Sequence, residues 1–568
     1  MKKIYVFLFY FLCAIIFTYP AIFHLKDMVI GDGGDGYEFL TYQYIVADNL
    51  KKGKLPLAYT NILRYPIGFY PGVADGRLFV LTGGLLNLFL KGVLAYNLLI
   101  LLFFTINGFV SFLFFNKLIH SYRLGILGGL IYGFSYYTLS KGIGHPNLLP
   151  IFGFPLLGFF LIKTLERPKD LINYLYLMIS VFIISLSSLQ YFFICCSALL
   201  VFSLIGFFIY RKKCFAILYM FYKNKKIIIL LLTSFLIIFF IFFKQYINAY
   251  LTGNFIYPTI DSFTTCKLLV SYFLPNNFIP TFLGTAFKNI IPASINNIES
   301  TLFLGFLEIL LFIFFIIKPS KTLFEKFILL LTITFFIISL GIGIYKKGII
   351  LPYFFLSFIF PFKAVMETER FFVIFYLFLT STILLLLKNS SRKMNFFTLI
   401  ILLIIMERFT LNYPLSASLK AKYQDIVTKL PGEAVLDIPI LLYGNNIWQK
   451  TVYNSLPFYY QKKITGGLLH QYADISLRKQ FLDYSGAMNF FCQQDFSQNQ
   501  DLLEKREIIN NMLIVLKDNK VNIIVVHKEH LYKEECRNVN NLISLLPVNN
   551  TGLGKIYEDE EAMVFLLK

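Results

Sequence analysis

Two aspartates, Asp32 and Asp35, lie in the glycine-rich run Gly31-Asp-Gly-Gly-Asp-Gly36, followed at once by Tyr37 and Glu38. Glycine removes side-chain bulk, so a ligand can approach these carboxylates closely. Such a pair can take a proton from a hydroxyl as a general base or can ligate a metal, while a calcium-like or merely flexible turn is the plainer reading. The EF-hand pattern is not met, because D-x-x-D lacks the later Glu. Further along, Leu63-Arg-Tyr-Pro-Ile-Gly-Phe-Tyr70 combines a rigid turn with ring faces, Tyr65 among them, that suit a sugar, an isoprenoid tail or an interfacial aromatic belt. His145 and Asn147, within Ser140-Lys-Gly-Ile-Gly-His-Pro-Asn147, can both hydrogen-bond a phosphate or sugar. Arg370, in Glu367-Thr-Glu-Arg-Phe-Phe372, is a fixed cation suited to a phosphate, with Glu367 and Glu369 as partners; interfacial anchoring is its plainer role. Glu308 stands inside an apolar run, where an ionisable residue is either functional or a helix-packing contact.

The elements that must position these residues belong to a chain of 568 residues that is 57% hydrophobic and 15% charged. Soluble chains sit near about 45–50% and about 25%. Apolar runs of about 14 to 24 residues recur as far as residue 407, separated by short basic clusters, as in a polytopic α-helical membrane protein. Disordered, collagenous, disulfide-scaffold and simple soluble-enzyme classes are excluded. The formal net charge of +20 sits at the ends of apolar runs, where lipid phosphates explain it better than nucleic acid does, so no nucleic-acid partner is expected.

The runs predict about eleven transmembrane helices, near residues 4–23, 94–116, 124–140, 148–163, 172–187, 189–210, 227–243, 301–317, 327–345, 371–387 and 394–407. The first is read as an uncleaved span. Lys117, Arg123, Lys163, Arg167, Lys223, Lys318 and Lys388 then fall on one side, and the positive-inside rule places the N-terminus inside and the C-terminus outside. Two ambiguous stretches, 78–90 and 349–362, become interfacial or re-entrant segments covering a cavity. The predicted membrane domain is 1–407, with external loops 24–78 and 244–300. Residues 408–568 are expected to form an external α/β domain, because the β-type runs Ala434–Ile440 and Val521–Val526 are separated by polar helical stretches such as Asp501–Asp518. The end, from Gly554, reads as a hairpin. This topology brings Asp32, Asp35, His145 and Arg370 to one external face. The seven Cys show no C-x-x-C spacing, and Cys492 with Cys536 is the one pair in the polar part.

Taken together, these motifs resemble the GT-C superfamily of polyprenyl-phosphate-sugar-dependent membrane glycosyltransferases. The resemblance is carried by Asp32 and Asp35 directly after the first span, the Tyr65-Pro-x-Gly68 turn and Gly144-His145-x-Asn147 followed by Pro155-Leu156. Glu369-Arg370-Phe371 before a late span, Val435-Leu-Asp-Ile-Pro439, Gly466-Gly467 and Val525-Val526-His527 complete it. It implies a GT-C-like fold and an inverting transfer of a hexose or pentose, outside the bacterial cytoplasmic membrane, from a polyprenyl-phosphate sugar to a glycan, lipid or protein acceptor. An acidic residue of the first external loop would be the base. Asp35 is favoured because Tyr37, Glu38 and a helical-looking stretch follow it, with Asp32 as alternate or metal-assisting partner. Glu38, Tyr65, His145, Asn147, Glu369 and Arg370 are expected on the substrates, His145 and Arg370 holding the donor phosphate. Some members use a divalent metal (Mg or Mn) and others none, and this chain lacks the strict D-x-D that would decide. G-x-G-x-x-G is absent, which disfavours a nucleotide donor. The competing readings are a lipid-linked oligosaccharide transporter or flippase, an O-antigen ligase or polymerase, and a structural envelope protein.

Overall fold

Leu, Ile and Phe dominate the long runs, and in an apolar medium every backbone polar group must be satisfied within its own segment, so these runs fold as helices. The computed structural model describes residues 2–251, 269–286, 298–438, 456–465, 513–528 and 553–567, except 72–74, 91, 168, 212–214, 216–218, 220–221, 223–224, 277, 342, 345–348, 360–361, 366, 389–393 and 418–421. Most of loop 244–300, Cys492, Cys536, Gly466-Gly467 and residues 501–512 of the expected polar helical stretch lie outside the described residues. In chain order the first helices are α1 (Lys2–Phe17), α2 (Gly34–Lys51), α3 (Arg77–Leu86), α4 (Gly92–Ile119), α5 (Tyr122–Gly133), α6 (Tyr136–Gly144), α7 (Gly153–Glu166), α8 (Leu171–Ser187) and α9 (Leu189–Ile209). Helices Lys225–Leu251, Phe306–Ile317, Leu323–Ser339, Phe372–Leu387 and Met394–Arg408 follow. Among the described residues, Gly92–Ile119, Pro146–Glu166, Leu189–Ile209 and Thr368–Leu387 are long and apolar enough to cross a membrane. Several of the other expected spans, such as Leu171–Ser187 and Phe306–Ile317, are shorter apolar helices. The molecule is a mostly helical membrane protein.

One expected span is broken. The run 124–140 folds as α5 and α6, because Ser135 caps a new helix, its side chain accepting from the Thr138 N–H at 3.2 Å. At the break the Ile131 carbonyl accepts from Arg408 Nη1 at 2.9 Å, and the Leu130 carbonyl accepts both from the Phe134 N–H at 3.3 Å and from Arg408 Nη1 at 3.0 Å. The ambiguous stretch 78–90 contains α3, which packs on α2, α4 and α8.

The strands are β1 (Met28–Ile30), β2 (Gly343–Ile344), β3 (Ile349–Ile350), β4 (Leu415–Ala417), β5 (Ala434–Ile438), β6 (Lys463–Ile464), β7 (Val521–His527), β8 (Leu553–Glu558) and β9 (Ala562–Leu567). Five of them form a sheet in the order β6-β5-β7-β9-β8, with β5 parallel to β6 and β7 and β9 antiparallel to β7 and β8. The turn between β8 and β9 is closed by Asp559, which accepts from the Glu561 and Ala562 N–H groups at 2.9 and 2.8 Å. β1 and β4 pair antiparallel, tying the first loop to the chain beyond the last long helix.

That pairing places the glycine-rich run. Buried Asn97 of α4 accepts from the Ile30 N–H at 2.9 Å and donates to the carbonyls of Leu25 and Met28 at 3.0 and 2.7 Å. The Gly31 N–H donates to Pro414 at 2.9 Å and the Asp32 N–H to Ile143 at 3.1 Å. Gly31 has φ +119°, and a side chain there would fall on the Ile143 carbonyl. The start of α2 is thereby seated on the end of α6.

Candidate active site

Asp35 lies in the first turn of α2, and His145 immediately follows α6. Their contact is direct: Asp35 Oδ2 and His145 Nδ1 are 2.7 Å apart. The other ring nitrogen, Nε2, lies 3.1 Å from Glu299 Oε1. Glu299 is the hub of the arrangement, since it also accepts from Arg370 Nη2 at 3.0 Å and from Lys141 Nζ at 2.8 Å. Arg370 Nη1 donates to Gln190 Oε1 at 2.8 Å. One chain of charge-assisted hydrogen bonds therefore links the first loop, the end of α6, the start of α9, the turn Ile298–Ser300 and the approach to helix Phe372–Leu387.

Each member is held by its local fold. The loop after His145 is fixed by buried Asn107 of α4, which donates to the Leu149 carbonyl at 2.8 Å and accepts from the Phe152 N–H at 2.9 Å. Gln190 sits in the first turn of α9, whose N-cap Ser188 accepts from the Gln190 N–H at 3.2 Å and is itself held by the Asp75 carboxylate. That carboxylate accepts from the Ser188 hydroxyl at 2.6 Å and the Leu189 N–H at 3.1 Å. The Lys141 ammonium, fully buried, lies 4.9 Å from the centre of the Tyr137 ring.

The electrostatics follow from this geometry. Burial disfavours a charged His145, but the hydrogen bonds to Asp35 and Glu299 outweigh it, and the pKa lies above the ordinary histidine value. Both ring nitrogens face carboxylates, so an imidazolium donates at each end. Burial alone would raise Glu299; Lys141, Arg370 and His145 instead hold its carboxyl well below the usual range. Burial pushes Asp32 up, only partly offset by the Gly34 N–H that donates to its Oδ1 at 3.0 Å. Burial and the Glu369 carboxylate push Glu367 up to about 8.

The expected residues divide into groups. Asp35, His145 and Arg370 are brought together, with Asp32 beside them at the start of α2. Arg370 is engaged by Glu299 and Gln190, in addition to the neighbouring Glu367 and Glu369 expected as its partners. Glu369 is buried next to Arg370. Asn147 is buried two residues after His145, and its Oδ1 has no hydrogen-bond partner among the described residues. Glu38 lies one turn along α2, where Oε1 accepts from Tyr42 at 2.7 Å. Tyr65 is not part of this cluster. Its N–H donates to Ile464 at 2.9 Å and Lys463 Nζ lies 4.8 Å from its ring, so it anchors the first loop to the β5–β6 edge. Sequence reasoning missed Glu299, Lys141, Gln190 and Asp75. Lys141 sat within a quoted motif, and its charge beside an apolar run was the signal that could have found it.

Among the described residues no three His, Cys, Asp or Glu side chains converge on one point. His145 spends both nitrogens on carboxylates, so no step is routed through a metal.

No protein-family model and no curated protein matches the chain. Among solved structures, arabinofuranosyltransferase AftD from Mycobacteria is similar with a TM-score of 0.55 and 12% identity, over 100% of this chain and 40% of that one. This chain thus spans 40% of the length of the chain it matches. The oligosaccharyltransferase AglB from Archaeoglobus fulgidus, solved with an inhibitory peptide and a dolichol-phosphate, gives a TM-score of 0.44 at 10% identity, covering 93% of this chain and 69% of that one. ArnT from Cupriavidus metallidurans gives 0.43 at 11% identity, covering 99% and 98%. The chain shares its fold with AftD.

Proposed function

We propose that the protein is a membrane glycosyltransferase that moves a sugar from a polyprenyl-phosphate donor to a glycan, lipid or protein acceptor, with inversion, outside the bacterial cytoplasmic membrane. The observation that carries this reading is the Asp35–His145–Glu299 chain with Lys141 and Arg370 behind it, on a fold shared with a glycosyltransferase. Asp35 is the base. His145 cannot take that role while both its nitrogens are engaged, whereas Asp35 uses one oxygen for His145 and keeps 31% of its side chain exposed. It removes the proton of the acceptor hydroxyl as that oxygen attacks the anomeric carbon, and the bond to the donor phosphate breaks with its electron pair on phosphate oxygen.

The leaving phosphate gains negative charge. Lys141, Arg370 and the His145 imidazolium supply the cations at that end of the cluster, set against the carboxylates of Glu299, Asp35 and Glu369. Asn147 Oδ1, buried without a partner among the described residues, is an acceptor suited to a sugar hydroxyl. Asp32, tied to the Gly34 N–H, is the alternate base.

The test is transfer of radiolabelled sugar from a panel of polyprenyl-phosphate sugars in membranes carrying the wild type, Asp35→Asn or Asp32→Asn, each with and without a chelator. Transfer lost in Asp35→Asn and kept in Asp32→Asn, unaffected by chelator, is the expected result. The opposite pattern reassigns the base to Asp32. Absence of wild-type transfer with every donor favours a lipid-linked oligosaccharide transporter.

A further inference from the structure

Away from the Asp35 cluster, a polar cleft of about 400 Å³ opens between the second half of α2, the loop that follows it and the β5–β6 edge. Its size is that of a small-ligand site. Four lysines line it, Lys52, Lys54, Lys462 and Lys463, against two carboxylates, Asp48 and Glu433. Lys52 pairs with Asp48 at 2.6 Å and Lys463 with Glu433 at 2.9 Å. Lys462 Nζ donates to the Leu430 and Gly432 carbonyls at 3.0 and 2.9 Å, so no carboxylate neutralises it there. Lys54, exposed, has no carboxylate partner among the described residues. Two positive charges therefore remain over, and the cleft favours an anion.

Charge is not its whole character. The rings of Tyr44 and Tyr59 line the same cleft, together with the amide side chains of Asn61 and Gln461. Ring faces pack on the apolar face of a pyranose, and planar amides both donate to and accept from hydroxyls. The walls are preformed. Asn49 Nδ2 donates to the Pro56 and Ala58 carbonyls at 3.1 and 3.2 Å, fixing the loop, and the Ile464 N–H donates to Ile62 at 2.9 Å, fixing that loop to the sheet. Gln461 has φ +53°, a left-handed conformation unusual for a residue with a side chain, at the point where it meets the cleft.

We infer that this cleft binds an acidic oligosaccharide, the acceptor chain of the transfer proposed above, on which reading the word acceptor rests. Both sites lie along α2. Asp35 and Asp48 are separated by about 20 Å at the rise of an α-helix, so a saccharide chain and not a single sugar is the ligand that reaches from one to the other. Holding the chain in the cleft raises the local concentration of its end at Asp35.

The experiment is calorimetric titration of the full-length protein in detergent with a uronic-acid tetrasaccharide, a neutral tetrasaccharide and inorganic phosphate. The wild type and Asp35→Asn should bind the uronide alike, with the neutral sugar and phosphate at least about tenfold weaker. Lys54→Glu and Asn61→Ala should each weaken the uronide about tenfold or more, with unchanged elution on gel filtration. No uronide binding by the wild type, equal binding in both variants, or phosphate binding as tightly as the uronide overturns the inference. Asp35→Asn retains the cleft and separates binding from chemistry, so uronide binding by the wild type with no transfer from any donor would refute the transfer reading alone.

Discussion

Asp35 and His145 divide the work at the residue scale, the carboxylate carrying the chemistry and the imidazolium fixing its angle. Loss of a positioned base costs about 10²- to 10⁴-fold, so Asp35→Asn should lower the transfer rate by that factor while leaving the melting temperature close to wild type. The His145 contribution has a sign in pH. Its pKa is raised, so the doubly protonated ring and both its charge-assisted bonds are present below the ordinary histidine value of about 6.5. They are lost as pH rises through the raised value, and the stability they contribute goes with them. Initial rates should therefore fall on the alkaline side in the wild type, and His145→Gln, which cannot titrate, should abolish that limb while lowering the plateau. An identical alkaline limb in both proteins would show that another group is responsible. At this scale the sequence was partly legible. Asp35, His145 and Arg370 stood in short motifs at the ends of apolar runs, and topology alone brought them to one face. Glu299 was hidden, because nothing local in Asn297-Ile-Glu-Ser300 distinguishes it; only the fold converges three cations on it. Tyr65 stands apart from this cluster against the sheet edge, a packing role for which an aromatic turn is as well suited as it is for sugar.

At the scale of elements, the cluster depends on how closely α2 approaches α6 and how α9 begins. The first is set by Gly31, whose left-handed φ and contact with the Ile143 carbonyl exclude a side chain. Gly31→Ala must either push β1 away from α6 or strain the backbone by about 1–3 kcal/mol. Transfer should then fall steeply through separation of Asp35 from His145, with a melting-temperature drop of only a few degrees. Full activity in this variant would show that the spacing does not matter. The second is set by the N-cap Ser188 of α9 together with Asp75, which accepts from the Ser188 hydroxyl and the Leu189 N–H and so completes the cap. Removing a cap costs about 1 kcal/mol; Asp75→Ala should raise the KM for the lipid donor more than it changes kcat, because Gln190 and through it Arg370 lose their seat. An unchanged KM would detach the cap from the site. Of these elements, α6 and α9 were visible in the sequence within apolar runs, and α2 only as a helical-looking stretch inside the polar first loop. Their breaks were not, because the stop after Gly133 depends on Ser135 capping and on a cation, Arg408, that lies far along the chain.

At the scale of the whole molecule, Arg408 joins pieces that the sequence holds far apart. It is fully buried, ion-paired with Glu308, bonded to the Tyr376 hydroxyl at 3.0 Å and to two carbonyls of α5. Four helices meet on this one guanidinium, and Glu308, which in the sequence was equally well a functional group or a packing contact, is its counter-ion. Removing one partner of a buried pair leaves the other charge uncompensated, at about 3–5 kcal/mol, whereas replacing both by apolar residues is often neutral. Arg408→Met should therefore lower the melting temperature in detergent sharply. Arg408→Met with Glu308→Leu should recover only part of it, because the Ile131 carbonyl still lacks its donor. Transfer per folded molecule should be close to wild type in the double variant, since the pair lies outside the Asp35 cluster. A double variant that melts like the wild type but transfers nothing would move Glu308 and Arg408 from the scaffold into the chemistry.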